Sequence, residues 1–169
     1  MKAETVTELI ELLQSHEIDV VVDGGWGVDA LLGRQTRLHD DLDIAIPHKD
    51  VPKLRKILSE KGFSEKFRDD SRDCNFVLQD EAANQLDVHS YTFDENGKNI
   101  YGVAYLPEHL TGKGVINGFE VKCIPPEWMI KFHTGYELDE NDFHDVKALC
   151  EKFNLILPDE YKKFIKHIG

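Results

Sequence analysis

Long apolar runs are missing from this chain: no stretch approaches the length of a membrane span, and mean hydropathy is −0.41. Cysteine is scarce. Cys74, Cys123 and Cys150 are odd in number, widely scattered and without CxxC spacing, which speaks against both a disulfide framework and a zinc site. Positive charge is in deficit, with 20 Lys and Arg against 32 Asp and Glu and a formal net charge of −12. A nucleic-acid binder needs a basic face to neutralise phosphates, so this balance argues against that partner while permitting a cationic small molecule. Met1 to Glu11 is polar and acidic rather than basic then apolar, unlike a signal peptide. These absences set the expectation of a cytoplasmic protein with no membrane partner. What remains is ordinary for a globular chain: 169 residues, 41% hydrophobic and 31% charged, enough to bury a core.

The apolar spacing predicts an α+β order with helices last. Val6, Leu9, Ile10 and Leu13 make one stripe of a helix from about Glu4 to His16. Asp19 to Val22 reads as a buried strand, Trp26 to Leu32 as a short helix capped by Gly33, and Leu42 to Ile46 as a strand stopped by Pro47. Asp50 and Pro52 open a helix whose apolar face is Leu54, Ile57 and Leu58, ended by Gly62. Segments near Phe63–Phe67, Asn75–Gln79, Leu86–Tyr91, Tyr101–Tyr105 and Phe119–Cys123 look β-like, and Gly112 to Gly118 looks like a glycine-rich turn region. After Pro125-Pro126, helices are expected over Glu127–His133, Asn141–Phe153 and from Pro158. The expected organisation is an α/β core over 1–125 and a helical portion over 126–169, packed on the core as a single domain.

Chemistry concentrates in Asp23-Gly24-Gly25-Trp26-Gly27 and His39-Asp40-Asp41-Leu42-Asp43. A glycine pair between a strand and a helix lets backbone approach a ligand, and the helix's first N–H groups favour an anion such as phosphate; a plain tight turn would use the same residues. Gly25 to Ala30 also matches GxGxxA, the dinucleotide fingerprint, but the following acids precede or alternate within their strand and no further βαβ units follow. Asp41 and Asp43, two apart on a strand, point to one side. At ~4 Å and an effective dielectric of ~20 they repel by roughly 4 kcal/mol, which a bound Mg²⁺ reverses; a solvated strand edge is the bland alternative. Asp87, between Leu86 and Val88, is a candidate second metal ligand or general base, or an outward polar residue. Arg34 and Arg37 lie in the loop before the acids, with Arg37 the better placed for phosphate. His39 reads as a loop-stabilising donor and Asp29 as compensation of a helix dipole. His89 shares a strand face with Asp87 and fits a pocket position; Lys131 or Lys147 suits phosphate contact, and His133 or Tyr136 a pocket wall.

The strand, the Gly24-Gly25 pair and Asp41-Leu42-Asp43 resemble the nucleotidyltransferase superfamily related to DNA polymerase β. Asp23 to Asp29, Arg37 to Asp43, Leu86-Asp87-Val88-His89 and Phe132 to Tyr136 are similar to lincosamide nucleotidyltransferases and aminoglycoside 2″-adenylyltransferases, over most of residues 18–147. The resemblance implies a polymerase β-like fold, a mixed twisted sheet flanked by helices. It further implies transfer of a nucleoside monophosphate, AMP from ATP or another NTP, to a hydroxyl of a small molecule such as a lincosamide or aminoglycoside. Asp41, Asp43 and Asp87 would hold Mg²⁺ as two ions, Asp87 would be the general base, and Gly24, Gly25, Arg37 and Lys147 would bind nucleotide. His89, His133 and Tyr136 would line the acceptor pocket. A homodimer is left open. The alternative is a non-catalytic nucleotide-binding or toxin-neutralising module on the same fold, against which the intact acid trio weighs.

Overall fold

The structure is a computed structural model that describes residues 1–165. Apolar spacing becomes buried faces. Helix α1 (Ala3–Ser15) buries Val6, Leu9, Ile10 and Leu13, and α3 (Val51–Glu60) buries Val51, Leu54, Ile57 and Leu58. Between them, α2 (Gly24–Leu32) starts two residues earlier than its apolar pattern suggests and ends on Gly33, whose φ of 73° gives the left-handed cap. Asp50 stands at the N-cap of α3 but its side chain makes no capping bond; a 3₁₀ turn over His48–Asp50 leads into the helix instead.

The strands are β1 (Val21–Val22), β2 (Asp41–Pro47), β3 (Ser64–Lys66), β4 (Asn75–Gln79), β5 (Gln85–Phe93), β6 (Asn99–Gly102), β7 (Gly112–Ile116) and β8 (Phe119–Cys123). They form one mixed sheet in the order β3-β4-β5-β2-β1-β8-β7, with β6 paired to the end of β5. β2 runs parallel to β5 and β1 parallel to β8, while β1 and β2 are antiparallel. The helical C-terminal part comprises α4 (Pro126–Phe132), α5 (Glu140–Phe153) and α6 (Lys162–Ile165). One hydrophobic cluster runs from α1 through the central strands to Met129, Val146, Leu149 and Tyr161. Among the described residues no helix is long and apolar enough to cross a membrane.

Two departures from the sequence expectation have physical reasons. Gly112–Ile116 is a strand rather than a turn region: its glycines are there for close approach, since a Cβ on Gly114 would lie 2.4 Å from the Ala30 carbonyl carbon in α2. The segment around Tyr101–Tyr105 splits, β6 ending at Gly102 and an irregular loop carrying Tyr105 inward to 3% exposure. That loop is pinned by Asn99 Nδ2, which donates to the carbonyls of Val103 and Tyr105.

Candidate functional site

The register of the central strands assembles the acids. Leu42 and Ile44 on β2, and Leu86 and Val88 on β5, are fully buried, so the alternating positions Asp43 and Asp87 must share the opposite face. In the parallel β2–β5 ladder Asp43 stands directly beside Asp87, and Ala45 beside His89. Oxygens of Asp43 and Asp87 and a ring nitrogen of His89 all lie within 4.8 Å of one another. Asp41 is on the same face of β2 and half-buried, but its carboxylate is outside that group of three.

The glycine turn closes over Asp43. Asp23 caps α2, its Oδ1 accepting the Gly24 N–H at 2.8 Å, and the Asp23 N–H donates to the Asp43 carbonyl at 2.9 Å. Gly24 has a φ of +56°, and a Cβ there would lie 2.1 Å from Asp43 Oδ2. Only glycine fits between this turn and that carboxylate. Gly25 is equally confined, with His39 Nδ1 2.3 Å and Arg37 Nη2 2.7 Å from the position a Cβ would take.

Three residues that sequence reasoning left unassigned complete the surroundings. Arg68, on the loop between β3 and β4, forms an ion pair with Asp87, its Nη1 2.9 Å from Oδ2. Tyr105 donates its hydroxyl proton to Asp23 Oδ2 at 2.9 Å and lies 3.4 Å from His89 Nδ1. Asp23 therefore serves both the turn and the Tyr105 loop; its place before a helix-opening glycine pair was the one available signal. Arg68 and Tyr105 arrive on irregular segments, where no periodicity marks them.

Burial, and then the charges of Asp41, Asp23 and Asp87, push the Asp43 carboxyl well above the usual carboxylate range, with Arg68 acting the other way. Burial and the neighbouring Asp23 likewise hold the Tyr105 phenol far above its ordinary value, so it stays a donor. Asp87 is buried, and its Oδ1 has no hydrogen-bond partner. An orphaned buried carboxylate oxygen beside a second crowded carboxylate is a donor set that fits a hard divalent cation such as Mg²⁺.

Beside the acids opens a cavity of about 680 Å³, lined among others by Asp23, Arg72, His89, Tyr105, Lys131 and Phe132. His89 lines this cavity, while polar atoms of His133 and Tyr136 bond within their own surroundings. His133 Nδ1 bonds back to the Met129 carbonyl in its own helix, and the Tyr136 hydroxyl donates to Asp142 at 2.7 Å. Lys147 pairs with Glu151 one turn on, and lines a cavity of about 1030 Å³ that shares no lining residue with the first.

Arg37 lies against the glycine turn, but its guanidinium forks onto Asp145 of α5, with Nη2 at 2.7 Å and Nε at 3.1 Å from both oxygens. His39 bonds Asp29 as a loop brace. Asp29, expected to compensate the dipole of a helix's first turn, lies beyond the first turn of α2; it is 2% exposed and accepts from the Thr36 N–H and hydroxyl, tying the loop to α2.

The sequence model of the family described as aminoglycoside-2″-adenylyltransferase matches residues 5–149. A lincosamide resistance protein of Staphylococcus haemolyticus is 30% identical over 159 residues, 88% of this chain and 98% of that protein. A 2″-aminoglycoside nucleotidyltransferase of Escherichia coli is 28% identical over 163 residues, 79% of this chain and 82% of that protein. The crystal structure of the lincosamide antibiotic adenylyltransferase LnuA with lincomycin bound superimposes with a TM-score of 0.77 at 24% identity, covering 88% of this chain and 96% of that one. The mixed sheet flanked by helices is the nucleotidyltransferase fold.

Proposed function

This chain belongs to the aminoglycoside-2″-adenylyltransferase family and is a nucleotidyltransferase; we propose that it moves AMP from ATP to a hydroxyl of a lincosamide-type antibiotic. The acceptor oxygen forms a bond to the α-phosphorus, the bond from that phosphorus to the bridging oxygen breaks, and pyrophosphate leaves. The observation that carries this reading is the pairing of Asp43 with Asp87 across β2 and β5, with the unbonded Asp87 Oδ1 next to a cavity lined by His89.

Asp41, Asp43 and Asp87 would hold Mg²⁺, which supplies charge neutralisation for the triphosphate and acidifies the acceptor hydroxyl. Asp87, oriented by the ion pair of its Oδ2 with Arg68, would be the general base for the acceptor proton. The Gly24-Gly25 backbone at the start of α2 and the cation of Arg37 beside it would receive the β- and γ-phosphates, setting the α-phosphorus in line with the acceptor. The cavity wall favours one acceptor class over the other. Arg72 and Lys131 face it with positive charge, and its one lining carboxylate, Asp23, is already bonded through both oxygens. Val103, Ala104 and Phe132 add apolar surface. Such a wall suits an acceptor with one amine and an apolar tail, as in a lincosamide, and repels a polycationic aminoglycoside.

The test is incubation of the chain with Mg²⁺, ATP labelled at the α-phosphate, and either lincomycin or tobramycin. Label is expected to move to lincomycin with release of unlabelled pyrophosphate. Transfer to tobramycin alone would overturn the choice of acceptor, and transfer to neither would overturn the reading of an antibiotic acceptor.

A further inference from the structure

We propose that His89 is a nitrogen ligand of the divalent-cation site, and that Tyr105 and Asp23 are positioning residues that leave its Nε2 lone pair free for the ion. The inference rests on the carboxylate assignment above and adds to it a residue type that three acids alone would not supply.

The direction of the hydrogen bonds decides it. The Tyr105 hydroxyl has one proton and two neighbours, Asp23 Oδ2 at 2.9 Å and His89 Nδ1 at 3.4 Å. Asp23 is an acceptor only, its other oxygen already takes the Gly24 N–H, and the shorter contact is the charge-assisted one. The proton therefore lies on the Asp23 side. Toward His89 the hydroxyl presents a lone pair, which calls for a proton on Nδ1. A neutral imidazole protonated at Nδ1 carries its lone pair at Nε2. That Nε2 sits 3.4 Å from Asp87 Oδ1, the buried oxygen without a hydrogen-bond partner. Asp87 Oδ2 is held by Arg68, so Oδ1 has no alternative donor on that side.

In that tautomer Nε2 faces Asp87 Oδ1, and an oxygen of Asp43 completes a group of three ligand atoms within 4.8 Å of one another. A divalent ion held among them would take two carboxylate oxygens and one imidazole nitrogen as ligands. An imidazole nitrogen among carboxylate oxygens shifts the preference of a site from Mg²⁺ toward Mn²⁺ and later first-row metals. The fixed tautomer is what an outer hydrogen-bond partner ordinarily provides to a metal-bound histidine.

The experiment uses the full chain, freed of metal by chelation, with Mn²⁺ alone as the probe and no nucleotide. Pulsed electron paramagnetic resonance on the wild type should show ¹⁴N coupling from a directly bound imidazole, a readout that requires no variant to fold. Competition should show Mn²⁺ binding more tightly than Mg²⁺. His89→Gln should abolish the ¹⁴N coupling and weaken Mn²⁺ at least ~10-fold, while Mg²⁺ affinity moves much less. Tyr105→Phe, which keeps the ring in its place, should weaken Mn²⁺ by ~10-fold or more through loss of the fixed tautomer. Mn²⁺ bound without nitrogen coupling, or equally tightly by the His89 variant, would overturn the role of His89 and leave the carboxylate assignment standing. Absence of Mn²⁺ and Mg²⁺ binding altogether would overturn both.

Discussion

Asp43→Asn should make the metal-free protein more stable while removing its transferase activity. Asp43 is held among Asp41, Asp23 and Asp87, and burial with those charges raises its carboxyl well above the ordinary range. At the 4.8 Å that bounds the Asp43–Asp87 separation, with an effective dielectric of ~20, repulsion is about 3 kcal/mol. Arg68 offsets part of it through its pair with Asp87, and water over the half-buried Asp43 screens more. A net gain of ~1–2 kcal/mol remains for the neutral amide, which in a chain of this size corresponds to roughly 2–8 °C in Tm.

The pH dependence identifies the cause. A carboxyl whose folded-state pKa is raised binds its proton more tightly when folded, so its contribution to stability is fully present below the unfolded value and is lost as pH rises through the folded value. The advantage of Asp43→Asn should be small below pH 3.8, where wild type is largely neutral in both states, and should grow with pH to a plateau above the raised pKa. Differential scanning calorimetry in chelator across that window measures it. Added Mg²⁺ should then reverse the order, stabilising wild type by mass action and leaving the variant unmoved. A lower Tm for Asp43→Asn in metal-free buffer at neutral pH would refute the crowding of these carboxylates.

Three further outcomes are expected. Asp87→Asn should cut transfer at least ~10²-fold in single-turnover assays with labelled ATP, while equilibrium nucleotide binding is largely kept; loss of nucleotide affinity alone would assign Asp87 a different role. Arg37→Ala leaves the buried Asp145 carboxylate without its guanidinium and should cost ~2–3 kcal/mol by urea titration, much of it recovered in the Arg37→Ala, Asp145→Asn double variant. Gly24→Ala puts a side chain at a φ of +56° and against Asp43 Oδ2, so Mg²⁺ affinity by calorimetry should fall along with a stability loss of ~1–2 kcal/mol. Unchanged metal affinity there would show that the turn does not brace Asp43.

What could be read from the sequence was whatever is local and periodic. The stripes of α1 and α3, the cap at Gly33 and the alternation around Asp43 and Asp87 all follow from spacing, and the structure places the two acids side by side. Side chains that meet through irregular backbone were not legible. Tyr105 reaches Asp23 only because the loop after β6 folds inward, and Arg68 reaches Asp87 from a loop that has no pattern. Glycine misled once: at Gly114 it marks close packing of β7 against α2, whereas at Gly24 it marks a turn, and the two uses look alike in sequence. His133 and Tyr136 were singled out by residue type; His133 Nδ1 bonds the Met129 carbonyl and the Tyr136 hydroxyl bonds Asp142, contacts that spacing alone does not reveal.

The acids are held together by the core rather than by one another. Nothing in the trio of Asp41, Asp43 and Asp87 attracts its members to one another, and the ion pair of Asp87 with Arg68 offsets only part of their repulsion. Their positions are imposed by Leu42, Ile44, Leu86 and Val88, all fully buried on the opposite face of β2 and β5. A slip of one residue in the β2–β5 register would turn Leu42 and Ile44 to the other face if β2 moved, or Leu86 and Val88 if β5 moved, so the apolar burial that fixes the register also fixes the carboxylates. At ~1.5–3 kcal/mol per buried aliphatic side chain, the two displaced by such a slip contribute about 3–6 kcal/mol, enough to hold the register against the ~3 kcal/mol repulsion at Asp43. The sheet can therefore keep an arrangement that is unfavourable when empty, and the same unfavourable crowding becomes binding energy for a cation. On this account the affinity for the metal and the instability of the metal-free site have one physical origin, which is why a single substitution at Asp43 should remove both.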